Sequence, residues 1–282
     1  MIINKEEGII VLILKNCTKS FKKTKALNDF SCEFKHGIYG LLGPNGSGKT
    51  TMMRCICGLL YPEKGSIECD CENIGYLPQQ FGAMKSLTVN ETMRYFATLK
   101  KIPKSNQDNE IRYCIDLVNL SDKIKNKVGS LSGGMVRRLG IAQAIMGNPE
   151  IVLFDEPTAG LDPEERVRFK SLLRKIKNDK TIIISTHIVS DVKSICDEIV
   201  IINEGRNVVQ GTCSDITSIG NEKVFLLDEE YENNLEGNYY VKDRISKDNK
   251  NYIIVLSSNF IEQGVSINAD IEDGYLCALK DI

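Results

Sequence analysis

Gly43-Pro44-Asn45-Gly46-Ser47-Gly48-Lys49-Thr50 follows directly on the apolar run Ile38–Leu42, and a helical pattern follows it. The spacing G-x-x-x-x-G-K-T between a strand and a helix predicts a loop that wraps phosphate. Glycines let successive backbone N–H groups turn inward around β- and γ-phosphate oxygens. The N-terminus of the next helix adds positive potential. Lys49 supplies a full charge to those oxygens, and the hydroxyl of Thr50 is placed for Mg²⁺. Asn45, Gly46, Ser47, Gly48, Lys49, Thr50 and Thr51 are the expected contacts of a nucleoside triphosphate. By itself the loop leaves GTPases, kinases and motors open.

The other half of such a site is Ile151-Val152-Leu153-Phe154-Asp155-Glu156, an apolar strand that ends in two acids. Adjacent carboxylates at the end of a buried strand need a task. Asp155 would hold Mg²⁺ through its water shell, leaving Glu156 free to polarise an attacking water. Further short β-branched runs occur at Ile9–Leu14, Thr181–Ser185 and Ile199–Ile202. Runs of this length read as strands buried on both faces. After Pro163, acids at Glu164 and Glu165 and lysines at Lys175 and Lys177 mark the two ends of a helix. Strands alternating with helices imply an α/β layered core. From about residue 88 to 147 the pattern is helical, with loops expected at Pro103–Asn109 and Lys123–Ser130, which reads as a helical subdomain inserted between core strands. Beyond about Gly211, the runs Lys223–Leu227, Tyr239–Lys242, Tyr252–Leu256 and Val265–Asn268 predict short strands of a small α+β appendage.

The charge distribution supports a boundary there. Residues 1–220 carry 30 Lys/Arg against 25 Asp/Glu, whereas residues 221–282 carry 6 against 13. Over all 282 residues the formal net charge is only −2, too small for the basic field that collects nucleic acid. Ten cysteines invite a disulfide or zinc reading, but Cys55/Cys57 and Cys69/Cys71 lack the two-residue gap of zinc knuckles. Reduced, mostly buried thiols of a cytoplasmic protein are expected. The first residues hold acids where a secretion signal needs bases, and the run Ile9–Leu14 is far short of the ~20 residues that cross a bilayer. If the protein serves a membrane process, another chain is expected to supply the membrane part.

Leu131-Ser132-Gly133-Gly134-Met135 and Asp155-Glu156-Pro157-Thr158 narrow the family. With these motifs the chain resembles the ATP-binding-cassette ATPases, over about Leu12 to Gly211. The expected fold is then an α/β P-loop NTPase core with a mixed β-sheet, an inserted helical subdomain and a small C-terminal α+β appendage. The nucleotide-binding domain would span 1–220, its helical subdomain about 88–147, and the accessory domain 221–282. The apolar spacing of Met135, Leu139, Ala142 and Ile145 predicts a helix over Gly133–Met146 with Ser132 as its N-cap. In the family, Ser132, Gly133 and Gly134 would face the γ-phosphate of ATP held by a second copy. Met135 departs from the glutamine usual there.

The resemblance carries further roles to single positions. Gln79, in Gly75-Tyr76-Leu77-Pro78-Gln79, resembles the glutamine that reports Mg²⁺ and γ-phosphate to the transport partner. Ala159-Gly160-Leu161-Asp162 resembles the loop that links the two sites, with Asp162 counted as a nucleotide contact. Of the two histidines, His187 matches the family's switch histidine, and His36 reads as a solvated loop residue. Phe21 resembles the aromatic that stacks on adenine. The catalytic set implied is Glu156, His187 and Gln79, and the Mg²⁺ set is Thr50, Gln79 and Asp155.

The family implies a head-to-tail pair of cassettes, closed on ATP and opened by hydrolysis, at the cytoplasmic face of the membrane on a separate transmembrane permease. Phe81-Gly82-Ala83-Met84 would face that permease or pack as a loop. Ile271-Glu272-Asp273-Gly274-Tyr275-Leu276 resembles the short closing helix of exporting cassettes, which more often carry a bulky residue where Gly274 stands. The alternative is a soluble mechanical cassette ATPase of translation or DNA repair. Against it stand a single cassette, the absence of sustained heptads between Lys49 and Ser132, and the near-neutral charge. A GTPase is disfavoured because no Asn-Lys-x-Asp clamp occurs.

Overall fold

The computed structural model describes residues 10–282 apart from 70, 72 and 249. In chain order the elements begin with β1 (Ile10–Phe21), β2 (Thr24–Lys35), β3 (Gly37–Leu42), α1 (Lys49–Ile56), β4 (Lys64–Cys69) and β5 (Ile74–Leu77). A helical stretch follows, with α2 (Val89–Leu99), α3 (Lys104–Leu117) and α4 (Gly133–Ile145). The chain then alternates through β6 (Ile151–Asp155), α5 (Pro163–Ile176), β7 (Thr181–Thr186), α6 (Val189–Val192), β8 (Glu198–Asn203), β9 (Arg206–Gly211) and α7 (Cys213–Ser218). It ends with β10 (Val224–Asp228), β11 (Tyr239–Lys247), β12 (Lys250–Ser257), β13 (Val265–Ser266) and α8 (Ile271–Lys280).

The central sheet has six strands in the order β5-β6-β7-β3-β8-β9. All its pairings are parallel except that of the edge strand β9. The β-branched runs are buried on both faces because each face is covered. Val152, Phe154, Ile182 and Ile184 point into a core shared with α2, α3, α4 and α5. Ile151, Leu153, Ile183 and Val200 point the other way, against α1 and the strands β1 and β2. The period-2 alternation of side chains thus feeds two separate cores from one strand.

Two expected elements need correction. Of the run Ile9–Leu14, Ile9 lies outside the described residues, and the rest is not a central strand. It opens β1, the middle of a three-stranded antiparallel sheet β2-β1-β4. Leu12 and Leu14 are buried while Ile13 is only half-buried, since this sheet packs its inner face on the core. Nor is Pro103–Asn109 a loop. Pro103 is the N-cap of α3 with φ −54, and the polar run after it is helical. At the N-cap, just outside the helix, proline's missing N–H breaks no helical hydrogen bond, and burial of Ile111, Cys114 and Ile115 stabilises the helix beyond its local propensity.

Cys69 and Cys71 are joined as a disulfide, their Cα atoms 5.5 Å apart, against the expectation of reduced thiols throughout. A single intervening residue lets both side chains leave the end of β4 in reach of each other. The other eight cysteines are free, and five of them are buried. No helix of the described residues is long and apolar enough to cross a membrane.

At the C-terminal end, β11-β12-β10-β13 form a four-stranded antiparallel sheet. Helix α8 does not stay with that sheet alone. Ile271 and Tyr275 join Leu42, Ile199, Ile201 and Ile216 in one apolar cluster on the main body. Lys242 of β11 reaches across to Asp273 at 2.6 Å, binding the sheet to the start of α8. This packing accounts for Gly274. A Cβ there would lie 1.8 Å from the carbonyl oxygen of Ile216 in α7, so the helix can sit this close only without a side chain. Gly274→Ala is expected to cost about 1–3 kcal/mol of stability by forcing α8 off α7. Urea denaturation measures it, and an unchanged midpoint would show that the two helices are not pressed together.

Candidate functional site

The cradle forms where β3 runs into α1. Gly43 has no room for a side chain, because a Cβ would stand 2.2 Å from the Ile202 carbonyl oxygen of the neighbouring strand. Gly48 has φ +113, a conformation open to glycine alone among ordinary residues, and its Cβ position lies 2.3 Å from the Ala26 carbonyl oxygen. These two close approaches fix the turn. No side chain caps the first turn of α1, so its N–H groups remain free for an anion.

Lys49 folds back over this loop. Its Nζ donates to the carbonyl oxygens of Gly43 at 2.7 Å and Pro44 at 2.9 Å. Burial lowers the lysine pKa, while the charges of Glu156 and Asp155 act the other way. The ammonium is thus already aimed into a cleft of about 430 Å³ lined by Ala26, Asn45, Gly46, Gly48, Lys49, Thr50, Thr51, Gln79 and Glu156. Gln79 stands in this lining and Gln80 does not.

Across the cleft, the ends of β6 and β7 set the acids. Asp155 is fully buried. Its Oδ1 accepts from the Ser185 hydroxyl at 2.6 Å, and the same hydroxyl accepts from the Glu156 N–H at 2.9 Å. Oδ2 of Asp155 and the hydroxyl of Ser47 are buried with no hydrogen-bond partner. A buried carboxylate oxygen without a donor is costly, and an oxygen-loving cation with its water shell relieves that cost. The donor set therefore fits Mg²⁺. Glu156 adopts φ +50, in the left-handed region that non-glycine residues rarely enter. That turn swings its carboxylate toward the cleft, with His187 Nδ1 3.1 Å from both oxygens.

The remaining sequence-predicted residues lie around this centre. Ser132 caps α4, its hydroxyl accepting from the Met135 N–H at 3.2 Å. Ser132 and Gly133 are exposed, and nothing within 4 Å would meet a side chain on Gly133. None of the three residues 132–134 lines the cleft of its own chain. Asp162 caps α5 by accepting from the Glu165 N–H at 2.8 Å. Thr158, just before it, donates to the buried Asp191 at 2.6 Å and so ties this loop to α6. Phe21 sits at the turn that ends β1. It is 47 % exposed, so it is no core residue, with the Lys19 ammonium 5.9 Å from its ring centre. Phe81 is a packed residue, 6.0 Å from the Phe96 ring, whereas Met84 remains exposed.

The family model for ABC transporters matches residues 27–159. An uncharacterised ABC transporter ATP-binding protein of Bacillus subtilis, YxlF, is 30 % identical over 269 residues, covering 92 % of this chain and 90 % of its own. The chain belongs to the ABC transporter family. It is an ATP-binding, ATP-hydrolysing subunit of that family. The Nod factor export ATP-binding protein I of Burkholderia lata is 34 % identical over 213 residues, with 70 % of this chain and 69 % of its own covered. A solved dimeric ATP-binding cassette, in a post-hydrolysis state bound to ADP and Pi, superposes with a TM-score of 0.65 at 26 % identity. It covers 71 % of this chain and 98 % of that one.

Two residues of this ABC ATPase escaped the sequence reading. Ser185 ends an apolar strand, and only the register that pairs it with Asp155 makes it a partner of the acids. A hydroxyl two residues before His187 was the available signal. Arg137 gave none. It lies in α4, and it reaches the carbonyls at the ends of β5 and β6, which are far away in sequence.

Proposed function

We propose that two copies of this cassette close head to tail on ATP and drive a separate transmembrane permease, in the export direction, from the cytoplasmic face of the membrane. Residues 1–220 act as the nucleotide-binding domain, with residues 88–147 as its helical subdomain and 221–282 as an accessory domain. Asn45 to Thr51 hold the phosphates and Phe21 stacks on adenine. Glu156 is the general base, oriented by His187, and Gln79 reports the state of the γ-phosphate. Thr50 and Asp155, with Gln79, would hold Mg²⁺, which when bound neutralises charge on the phosphates. Ser132, Gly133 and Gly134 serve the partner's nucleotide, and Asp162 links the two sites.

One observation supports this reading above the others. The capped, exposed start of α4 is a ready anion site, yet it does not line its own chain's cleft. A triphosphate on Lys49 is then open on one side, and a second copy supplies the missing donors. ATP becomes part of the interface, and hydrolysis removes it, giving two states biased by differential affinity. Export follows the similarity to the Nod factor export ATP-binding protein and the Ile271–Leu276 helix. A soluble mechanical role is not favoured, because the relatives are transporter subunits by name.

Ser132→Arg separates these roles. Monomer affinity for ATP is expected to stay within about twofold while hydrolysis falls about 10²–10³-fold, as when one anion donor is lost from a reacting centre. Equilibrium binding and steady-state hydrolysis measure the two. A variant that hydrolyses ATP normally refutes the composite site. Isolation of the chain from membranes without any polytopic partner refutes the permease.

A further inference from the structure

Arg137 makes five contacts, and all are backbone carbonyls. Nη1 donates to Pro78 at 2.9 Å and to Gln79 at 2.8 Å. Nη2 donates to Asp155 at 2.5 Å and to Glu156 at 2.6 Å, and Nε donates to Pro157 at 3.3 Å. The acceptors sit at or just past the C-terminal ends of two neighbouring parallel strands, which pair with each other up to Leu77 and Phe154. There the ladder stops, and the carbonyls need donors from elsewhere. A guanidinium offers five N–H groups in one rigid plane, which a lysine ammonium cannot reproduce.

Three pieces of the reacting centre converge on this one side chain. The Gln79 loop hangs from it on one side, and the Asp155-Glu156-Pro157 turn on the other. Its own helix begins four residues earlier at Gly133, beside the exposed Ser132. The neighbouring Arg138 points elsewhere, to the carbonyls of Val118 at 3.0 Å and Asn119 at 2.8 Å, and so fastens α4 to the end of α3. Arg137 therefore performs a separate task. It helps hold Glu156 at φ +50, together with Ser185. Burial lowers its pKa while the charges of Asp155 and Glu156 favour the cation.

We propose that Arg137 is a positioning residue for hydrolysis: its fork holds the carbonyls of the Gln79 loop and of the Glu156 turn in place against α4, and so sets where the Gln79 and Glu156 side chains stand in the cleft. This rests on the roles of Gln79 and Glu156 proposed above. ATP binding is left to the Lys49 loop, which Arg137 does not touch.

The test uses the full chain with Arg137→Lys and Arg137→Gln, measuring kcat, KM, equilibrium ATP affinity and melting. Arg137→Lys is expected to lower kcat at least about tenfold, since small displacements of reacting groups are costly, with KM and ATP affinity within about twofold. Arg137→Gln, without a cation, is expected to lose more kcat, again at preserved affinity. Three results overturn the proposal: parent kcat in both variants, a loss of kcat matched by an equal loss of affinity, or failure of both variants to fold, which would make the contact purely structural. Glu156→Gln run alongside keeps the two ideas apart. If it hydrolyses at the parent rate, the general-base assignment fails whatever Arg137 does.

Discussion

Lys49→Ala is expected to lose ATP binding itself, by a factor of about 10²–10³. That is ~3–4 kcal/mol, the range for truncating one partner of a buried charged contact. The lysine is 6 % exposed and already oriented by the Gly43 and Pro44 carbonyls, so little side-chain entropy remains to be lost when a phosphate arrives. Burial disfavours its charge in the free chain, and an anion beside it removes that penalty. The glycine loop itself should survive, because Gly43 and Gly48 are fixed by the Ile202 and Ala26 carbonyls rather than by Lys49. Equilibrium binding of labelled ATP at unchanged affinity would remove Lys49 from the role. A loss of affinity with an intact melting curve places the effect at the phosphate.

How much of this was legible beforehand depended on the range of the forces involved. The Gly43–Thr50 loop could be read because the turn, the cation and the helix start are consecutive residues. Asp155 and Glu156 could be read because an apolar run ends on them. The central strands at 151–155 and 181–186 were readable from β-branched content, since both faces of that sheet are covered. The run at 10–14 has the same local composition, yet it lies in a second sheet, where Ile13 is only half-buried. Ser185, Arg137 and Gly274 were opaque for a shared reason. The partners that give them meaning are Asp155 across a parallel register, five carbonyls at two strand ends, and the Ile216 carbonyl of another helix. None of these lies within reach along the chain.

Glu156→Gln is expected to leave ATP affinity intact while hydrolysis falls by about 10²–10⁴, the usual contribution of a general base. The change is nearly isosteric. The main-chain contacts that hold the turn, from the Glu156 N–H to the Ser185 hydroxyl and from Arg137 to the Glu156 carbonyl, do not involve the carboxylate. What is lost is the basic oxygen and its charge beside His187. If ATP bridges two copies, a chain that binds but cannot cleave it should accumulate as the closed pair. Light scattering should then report twice the monomer mass with ATP and the monomer with ADP. The same comparison discriminates among mechanisms. A variant that stays monomeric with ATP while binding it tightly would leave Glu156 as the base but remove the second copy from the site. Parent-rate hydrolysis would do the reverse, leaving the dimer possible and the carboxylate without its chemical role.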